Sequence, residues 1–364
     1  MKLLDSYILR QFLSTFVFVV ILLLAVITVI DLTENMDKYA KFNVPTGELV
    51  AYYFNFIAWI GGLVAPITVF ISVVYVCARM AGHTEIIAML SSGMSFRRIM
   101  LPYFYGALIL ASISFVLNGW VIPNSNKSRL EFIMQYLKKD TNRSLRNVHL
   151  QIAPNTFIYL QSYNSSNDKG YHFTLELFED KHLVQKLTAD RIEWDTLKQT
   201  WTLREWKLKK VDAIFSDSSQ TEKLIESGTT MDTTLAIHPK EFKSDYRKYD
   251  GLTLPELDHY IATLKLRGAA GIQVYEVEKY FRYASPFTIF ILTFLAVVVS
   301  SHKSRQGTGY KIAIGFALSF VFILFFMLIR TFAEAGSIPP QLTAWIPIVV
   351  FGTITAILYR NVPR

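Results

Sequence analysis

The side chains best suited to metal or nucleophilic chemistry are seven histidines (His83, His149, His172, His182, His238, His259, His302) and one cysteine, Cys77. They are scattered, and no two share the spacing that brings ligands to one helix face or one turn. The chain contains no H-E-x-x-H, paired C-x-x-C or G-x-S-x-G. GTGYK (Gly307 to Lys311) offers glycines and a lysine without the phosphate-loop spacing or a preceding strand. Ser72, Ser112 and Ser114 lie in apolar runs with no lysine nearby to activate them. Cys77 also sits in an apolar run and has no partner for an internal disulfide. The sequence therefore predicts no enzyme activity, no ATP hydrolysis by this chain, no metal and no cofactor.

The charged groups at the ends of apolar runs are more informative. Arg79 to Arg98 reads RMAGHTEIIAMLSSGMSFRR between two charge-free stretches. Thr84 fits an N-cap and Glu85 the first turn, where a carboxylate meets exposed N–H groups. Ile86, Ile87 and Leu90 share one face with Met89 at its edge, and Gly93 fits the C′ position. A helix near 84–92 is too short to stand alone in water, so its apolar face must dock. Two surfaces suit it. One is the lipid headgroup layer, with Arg79, Arg97 and Arg98 on phosphates; the other is a groove in a soluble partner that works mechanically on the membrane bundle. A second charged spot is DLTENMDKYAKF, where Lys38 and Lys41 follow the first apolar run. They could meet phosphates of an amphiphile whose tails lie in the bundle, or pair with Asp37 or Glu34.

The elements that must hold these groups are membrane helices. Hydrophobic residues make up 52% of the 364 and charged residues 18%, with mean hydropathy +0.30. Uncharged runs at Phe12–Ile30, Leu49–Ala78, Ile99–Pro123, Ala284–Ser301, Ile312–Ile329 and Ala335–Tyr359 predict six spans. The first is too long for a cleaved signal and lacks a cleavage site. Pro66 predicts a tilt or kink in the second. No nucleic-acid partner is expected, and the net charge of +8 takes its meaning from its sidedness across the bilayer. Lys2, Arg10, Arg79, Arg97, Arg98, Lys303, Arg305, Lys311, Arg360 and Arg364 fall on the terminal side, against Lys38, Lys41 and Arg330 on the other short loops. That bias predicts cytoplasmic termini, a cytoplasmic 79–98 loop, and an external segment between spans three and four.

The external segment alternates with period two in NTFIYLQSY, FTLELF and TWTLREWKL, between turn clusters at 164–170, 179–181 and 195–199. It predicts an antiparallel sandwich or jelly roll. Leu254, Leu257, Tyr260, Ile261 and Leu264 then line one face of an amphipathic helix. The expected fold is an α-helical membrane protein with six transmembrane helices and a periplasmic, jelly-roll-like all-β domain inserted between helices 3 and 4. Its parts are 1–123 (helices 1 to 3, with the short inner helix near 84–92), 124–250 (β domain), 251–283 (amphipathic return) and 284–364 (helices 4 to 6).

LDSYILRQFLSTF, HTEIIAMLSSGMSFRRI, FEDKHLVQKLTADRIEWDTLKQTWTL, LTLPELDHYIATLKLRG and YFRYASPFTIFILTFLA, in this order around a β domain, resemble the LptF/LptG permeases of the lipopolysaccharide exporter. The similarity covers essentially the whole chain. It implies a bacterial inner-membrane location, a second related six-helix permease, a cytoplasmic ABC ATPase dimer that binds ATP, a periplasmic bridge protein and lipopolysaccharide as substrate. It also implies that Glu85, Ile86, Ile87, Met89, Leu90 and Gly93 form the coupling helix on the ATPase, and that Lys38 and Lys41 lie near the substrate.

Overall fold

The computed structural model describes residues 3–137, 144–164, 167–179, 182–196, 198–210, 225–235, 237–239, 248–267, 271–301 and 307–360. The chain divides into two compact units. One holds 1–138, 249–257 and 273–364; the other holds 139–248 and 258–272.

The first unit is helical, because a charge-free run in lipid can satisfy its backbone only within a helix. It contains α1 (Leu3–Lys41), α2 (Thr46–Gly82), α3 (Glu85–Ser91), α4 (Phe96–Val116) and α5 (Ile122–Phe132). After the β insertion come α6 (Leu254–Arg267), of which only Leu254 to Leu257 belong to this unit, then α7 (Ile272–Ser300), α8 (Gly307–Glu334), the single turn α9 (Pro340–Thr343) and α10 (Ile346–Arg360). Six stretches are long and apolar enough to cross a membrane, three on each side of the β insertion.

Three boundaries differ from the sequence expectation. α1 runs 39 residues, well past Ile30. Nothing in LTENMDKYAK breaks a helix, so the chain turns only at Asn43, which takes a left-handed φ of 47°, ahead of Pro45. α2 runs from Thr46 to Gly82, past both ends of the charge-free run Leu49–Ala78, with Pro66 inside it. The third span does not stop at Pro123. A π turn at Leu117–Val121 joins α4 to α5, and a second at Ile133–Leu137 extends it, so the 124 boundary falls inside a helix. Widening the helix before Pro123 relieves the clash its ring would make with the preceding turn. Asn118 takes part, its side-chain amide donating to Ser114 O at 2.8 Å.

The bundle core draws on nearly every helix, including Ile8 and Phe12 of α1, Val73 and Met80 of α2, Tyr103 of α4, Leu292 and Leu295 of α7, and Phe351 of α10. Phe12 packs where Gly106 leaves room: a Cβ there would stand 2.5 Å from the ring. α6 begins with a capping box that the sequence analysis did not single out. The Thr253 N–H and hydroxyl both donate to Glu256 Oε2, at 2.8 and 2.9 Å. Leu254, Leu257 and Ile261 are its buried face.

The second unit holds six antiparallel strands paired in chain order: β1 (Ser144–Ala153), β2 (Thr156–Asn164), β3 (Lys169–Glu179), β4 (His182–Asp195), β5 (Thr200–Lys210) and β6 (Ile225–Thr233). The described strands pair into one continuous sheet between the third and fourth spans, consistent with the expected all-β domain. Alternation puts Ile158, Leu160, Phe173, Leu187, Ala189, Trp201 and Leu203 in its core. Trp201 is fully buried and donates its indole N–H to Ile237 O at 2.8 Å.

Candidate functional site

α3 is only seven residues long and is fixed at both ends. At its C-terminus Met94 N–H bonds Met89 O and Gly93 N–H bonds Leu90 O, with Gly93 at φ 84°: a Schellman closure, as Gly93 at C′ predicts. Its start is different. Thr84 occupies the N-cap position in left-handed conformation (φ 60°), and its hydroxyl donates to His83 O instead of capping the helix.

The face that α3 buries also differs from the expected apolar face. Ile86 (3% exposed) and Met89 (8%) are sunk in the bundle core beside Met80, Phe96 and Ile99. Three residues apart, they form the inner stripe. Ile87 is 45% exposed, Glu85 and Leu90 are half-buried, and Ala88, Ser91 and Ser92 are exposed. Ile86 and Met89 therefore anchor α3 to its own bundle, and the outward surface is Ile87 with the rims of Glu85 and Leu90. The apolar triplet Ile86, Ile87 and Leu90 does not act as one face.

The chain leaving α3 is tied to α1. Arg98, in the first turn of α4, donates to Asp5 Oδ2 at 2.6 Å, and Asp5 is 4% exposed. Arg97 reaches Tyr359 Oη at 3.4 Å, and Phe96 packs on the same ring. Both termini and α3 thus share one end of the bundle. Asp5–Arg98 was not legible in advance: the arginine was noticed as a phosphate contact, while its partner lies 93 positions away.

At the opposite end, Lys38 and Lys41 project exposed from the last turn of α1. Lys38 donates to Asn35 Oδ1 at 3.1 Å rather than pairing with Asp37 or Glu34; Lys41 lies 5.3 Å from the Phe42 ring. Below them Tyr53 donates to Asp31 at 3.1 Å, and Tyr52, Phe56 and Phe132 stack into an aromatic cluster. Arg129, 5% exposed, stacks on Trp59 at 3.9 Å and donates to Asn126. On the other half of the bundle Glu278 receives Arg282 at 2.8 Å and Arg330 at 2.7 Å, and Arg282 also donates to the carbonyls of Tyr249 and Leu252. These ion clusters fix the returning chain at the ends of α7 and α8. Among the described residues no His, Cys, Asp and Glu cluster could hold a metal.

The apolar surface is unevenly used. The most hydrophobic windows of the first and fifth spans are 0% and 17% buried, against 44–56% for spans two to four. α1 presents Phe18, Ile21, Leu22 and Val29 outward, and α8 presents Phe316, Phe320, Leu324 and Leu328.

Residues 6–361 match the family described as lipopolysaccharide export system permease LptF/LptG. Two relatives are lipopolysaccharide export system permease proteins LptG from Escherichia coli K12 and from the O6:H1 strain CFT073. Each is 19% identical over 97% of this chain and 96% of its own length. LptG of Haemophilus influenzae is 21% identical over 79% of this chain and 78% of its own.

Proposed function

Because the chain belongs to the LptF/LptG family of lipopolysaccharide export system permeases, we propose that it is the membrane subunit of an ATP-driven exporter. In this reading it draws lipopolysaccharide out of the bacterial inner membrane and passes it to a periplasmic bridge protein. A cytoplasmic ATPase dimer binds and hydrolyses the ATP, so this chain needs no cofactor. A second related permease completes the membrane part. The excess of Lys and Arg at the α3 end orients that end, with both termini, to the cytoplasm, and the β domain to the periplasm.

The observation that carries this reading is the seat of α3. A seven-residue helix anchored in the bundle by Ile86 and Met89, with Ile87 left outside, converts a push on its outer face into displacement of the whole packed bundle. The Asp5–Arg98 pair carries the displacement to the N-terminus of α1. α1 is also the least covered span and ends in Lys38 and Lys41. ATP-driven closure of the partner shifts the population of paired permeases toward a narrowed cavity, and the amphiphile leaves outward. The bare faces of α1 and α8 suit the second permease and acyl chains.

Reconstituted exporter tests both ends. Glu85→Arg places a cation at a helix N-terminus and should abolish ATPase recruitment; normal recruitment and export would refute the docking role. Lys38→Glu with Lys41→Glu should leave assembly intact and lower photo-crosslinking to lipopolysaccharide several-fold. Unchanged crosslinking would remove these lysines from the substrate path.

A further inference from the structure

At the α3 end of the bundle, α4, α7 and α10 enclose a groove of about 750 Å³, within the range of about 300–1,000 Å³ typical of small-ligand sites. Its walls are apolar. Phe104 and Phe294 lie 8° from parallel at 6.3 Å, and the small residues Gly352 and Ala356 leave room on the α10 side. At its edge stand Arg97, Tyr359 and Arg360. Both arginines are exposed, and among the described residues neither meets a carboxylate. The adjacent Arg98, by contrast, is spent on Asp5. An apolar slot with a phenol and two exposed guanidiniums that meet no described carboxylate at one end is complementary to a molecule with a hydrocarbon tail and a phosphodiester head.

We propose that this groove binds an acidic phospholipid of the cytoplasmic leaflet, with its phosphate on Arg97 and Arg360 and an acyl chain against Phe104 and Phe294. The leaflet rests on the topology proposed above; the lipid class rests on the groove itself. Lipopolysaccharide does not fit this assignment, because in that topology the groove opens at the face opposite Lys38 and Lys41. A lipid here would brace α4, the helix that directly follows α3, against α7 and α10. The acidic lipid content of the membrane would then set how stiffly the α3 end responds to its partner.

The test is native mass spectrometry of the purified full chain titrated with dioleoyl phosphatidylglycerol or dioleoyl phosphatidylcholine. Wild type should retain the glycerol lipid about tenfold better, and Arg97→Gln with Arg360→Gln should remove that preference, as loss of charge-assisted phosphate contacts implies. Ala356→Trp, which fills the slot, should lower retention of both lipids. Equal retention of the two lipids by wild type, or a preference that survives the double substitution, would overturn the site. So would a copurifying partner helix whose removal is needed before any lipid binds. The topology is read separately, by labelling Ser92→Cys in sealed vesicles with an impermeant maleimide; the native Cys77 is buried and stays silent. Labelling from the outer face would overturn the leaflet and the topology together. Labelling from the inner face with no lipid preference would overturn the groove alone.

Discussion

The two ends of the helical unit are built from different interactions. At the α3 end, Met80, Ile86, Met89, Phe96 and Ile99 interlock in one apolar core beside the ion pair of the buried Asp5 with Arg98. At the other end directional polar contacts are set around the aromatic cluster of Tyr52, Phe56 and Phe132. Arg129 stacks on Trp59, Tyr53 bonds Asp31, and Glu278 receives Arg282 and Arg330, of which Arg282 also holds the Tyr249 and Leu252 carbonyls. Close-packed apolar surfaces resist sliding and transmit displacement, whereas hydrogen-bonded groups can exchange partners with water or with a charged ligand. Under the proposed function, the difference suits an end that receives force and an end that handles a polar headgroup.

The largest effect should come from the ion pair in the apolar end. Arg98→Ala removes the guanidinium from Asp5, a carboxylate only 4% exposed, and breaking a buried pair by deleting one partner costs about 3–5 kcal/mol. Arg330→Ala at the polar end should cost less, because Glu278 keeps Arg282. Thermal unfolding of the purified full chain measures both, and exchanging the pair as Asp5→Arg with Arg98→Asp should recover part of the loss. Equal costs for Arg98→Ala and Arg330→Ala would erase the distinction between the two ends.

The next effect separates anchor from docking surface within α3. Ile86→Ala empties a core position and should destabilise the chain by about 2–4 kcal/mol. Ile87→Ala should stay within about 0.5 kcal/mol of wild type yet reduce recovery of the ATPase in copurification. If Ile86→Ala is the neutral one, α3 faces the other way.

That contrast marks how far the sequence reaches. The six spans were legible because a charge-free run of that length has one low-energy form in lipid. The strands of the β domain were legible from their alternation, and Gly93 from its place at a helix end. The inward face of α3 was not. EIIAML offers the pair Ile86 and Met89 as well as Ile86 and Leu90, and only the pocket formed by α2 and α4 chooses between them. Thr84 has the right type for a cap, but the tight link to α2 forces it to left-handed φ, where its hydroxyl points to the wrong carbonyl. Asp5–Arg98 and Glu278–Arg330 join residues 93 and 52 positions apart, beyond any local pattern. The Thr253–Glu256 capping box was written in the local sequence and simply overlooked.

The smallest effect sharpens the polar side of the comparison. Lys127 Nζ lies 2.8 and 3.0 Å from the two carboxylate oxygens of Glu256, which also receives the Thr253 N–H and hydroxyl. The ammonium first, then these donors, hold the Glu256 carboxyl well below its ordinary 4.5, at about 2. A carboxylate with a lowered folded-state pKa contributes stability that is complete above the unfolded value and fades as pH falls from 4.5 toward 2. The two side chains are 42% and 46% exposed, so solvent screening keeps the contribution below about 1 kcal/mol. Wild type should therefore melt slightly above Glu256→Gln at pH 7, and the two curves should converge as pH drops through that window. Added salt should shrink the gap at pH 7 but leave the Arg98→Ala deficit almost untouched, because the carboxylate exposed by that change is shielded from ions by the apolar end. A Glu256→Gln gap that is constant with pH and salt would mean that the returning helix is held by Leu254 and Leu257 alone, and the opposite end would then be less polar in its energetics than in its geometry.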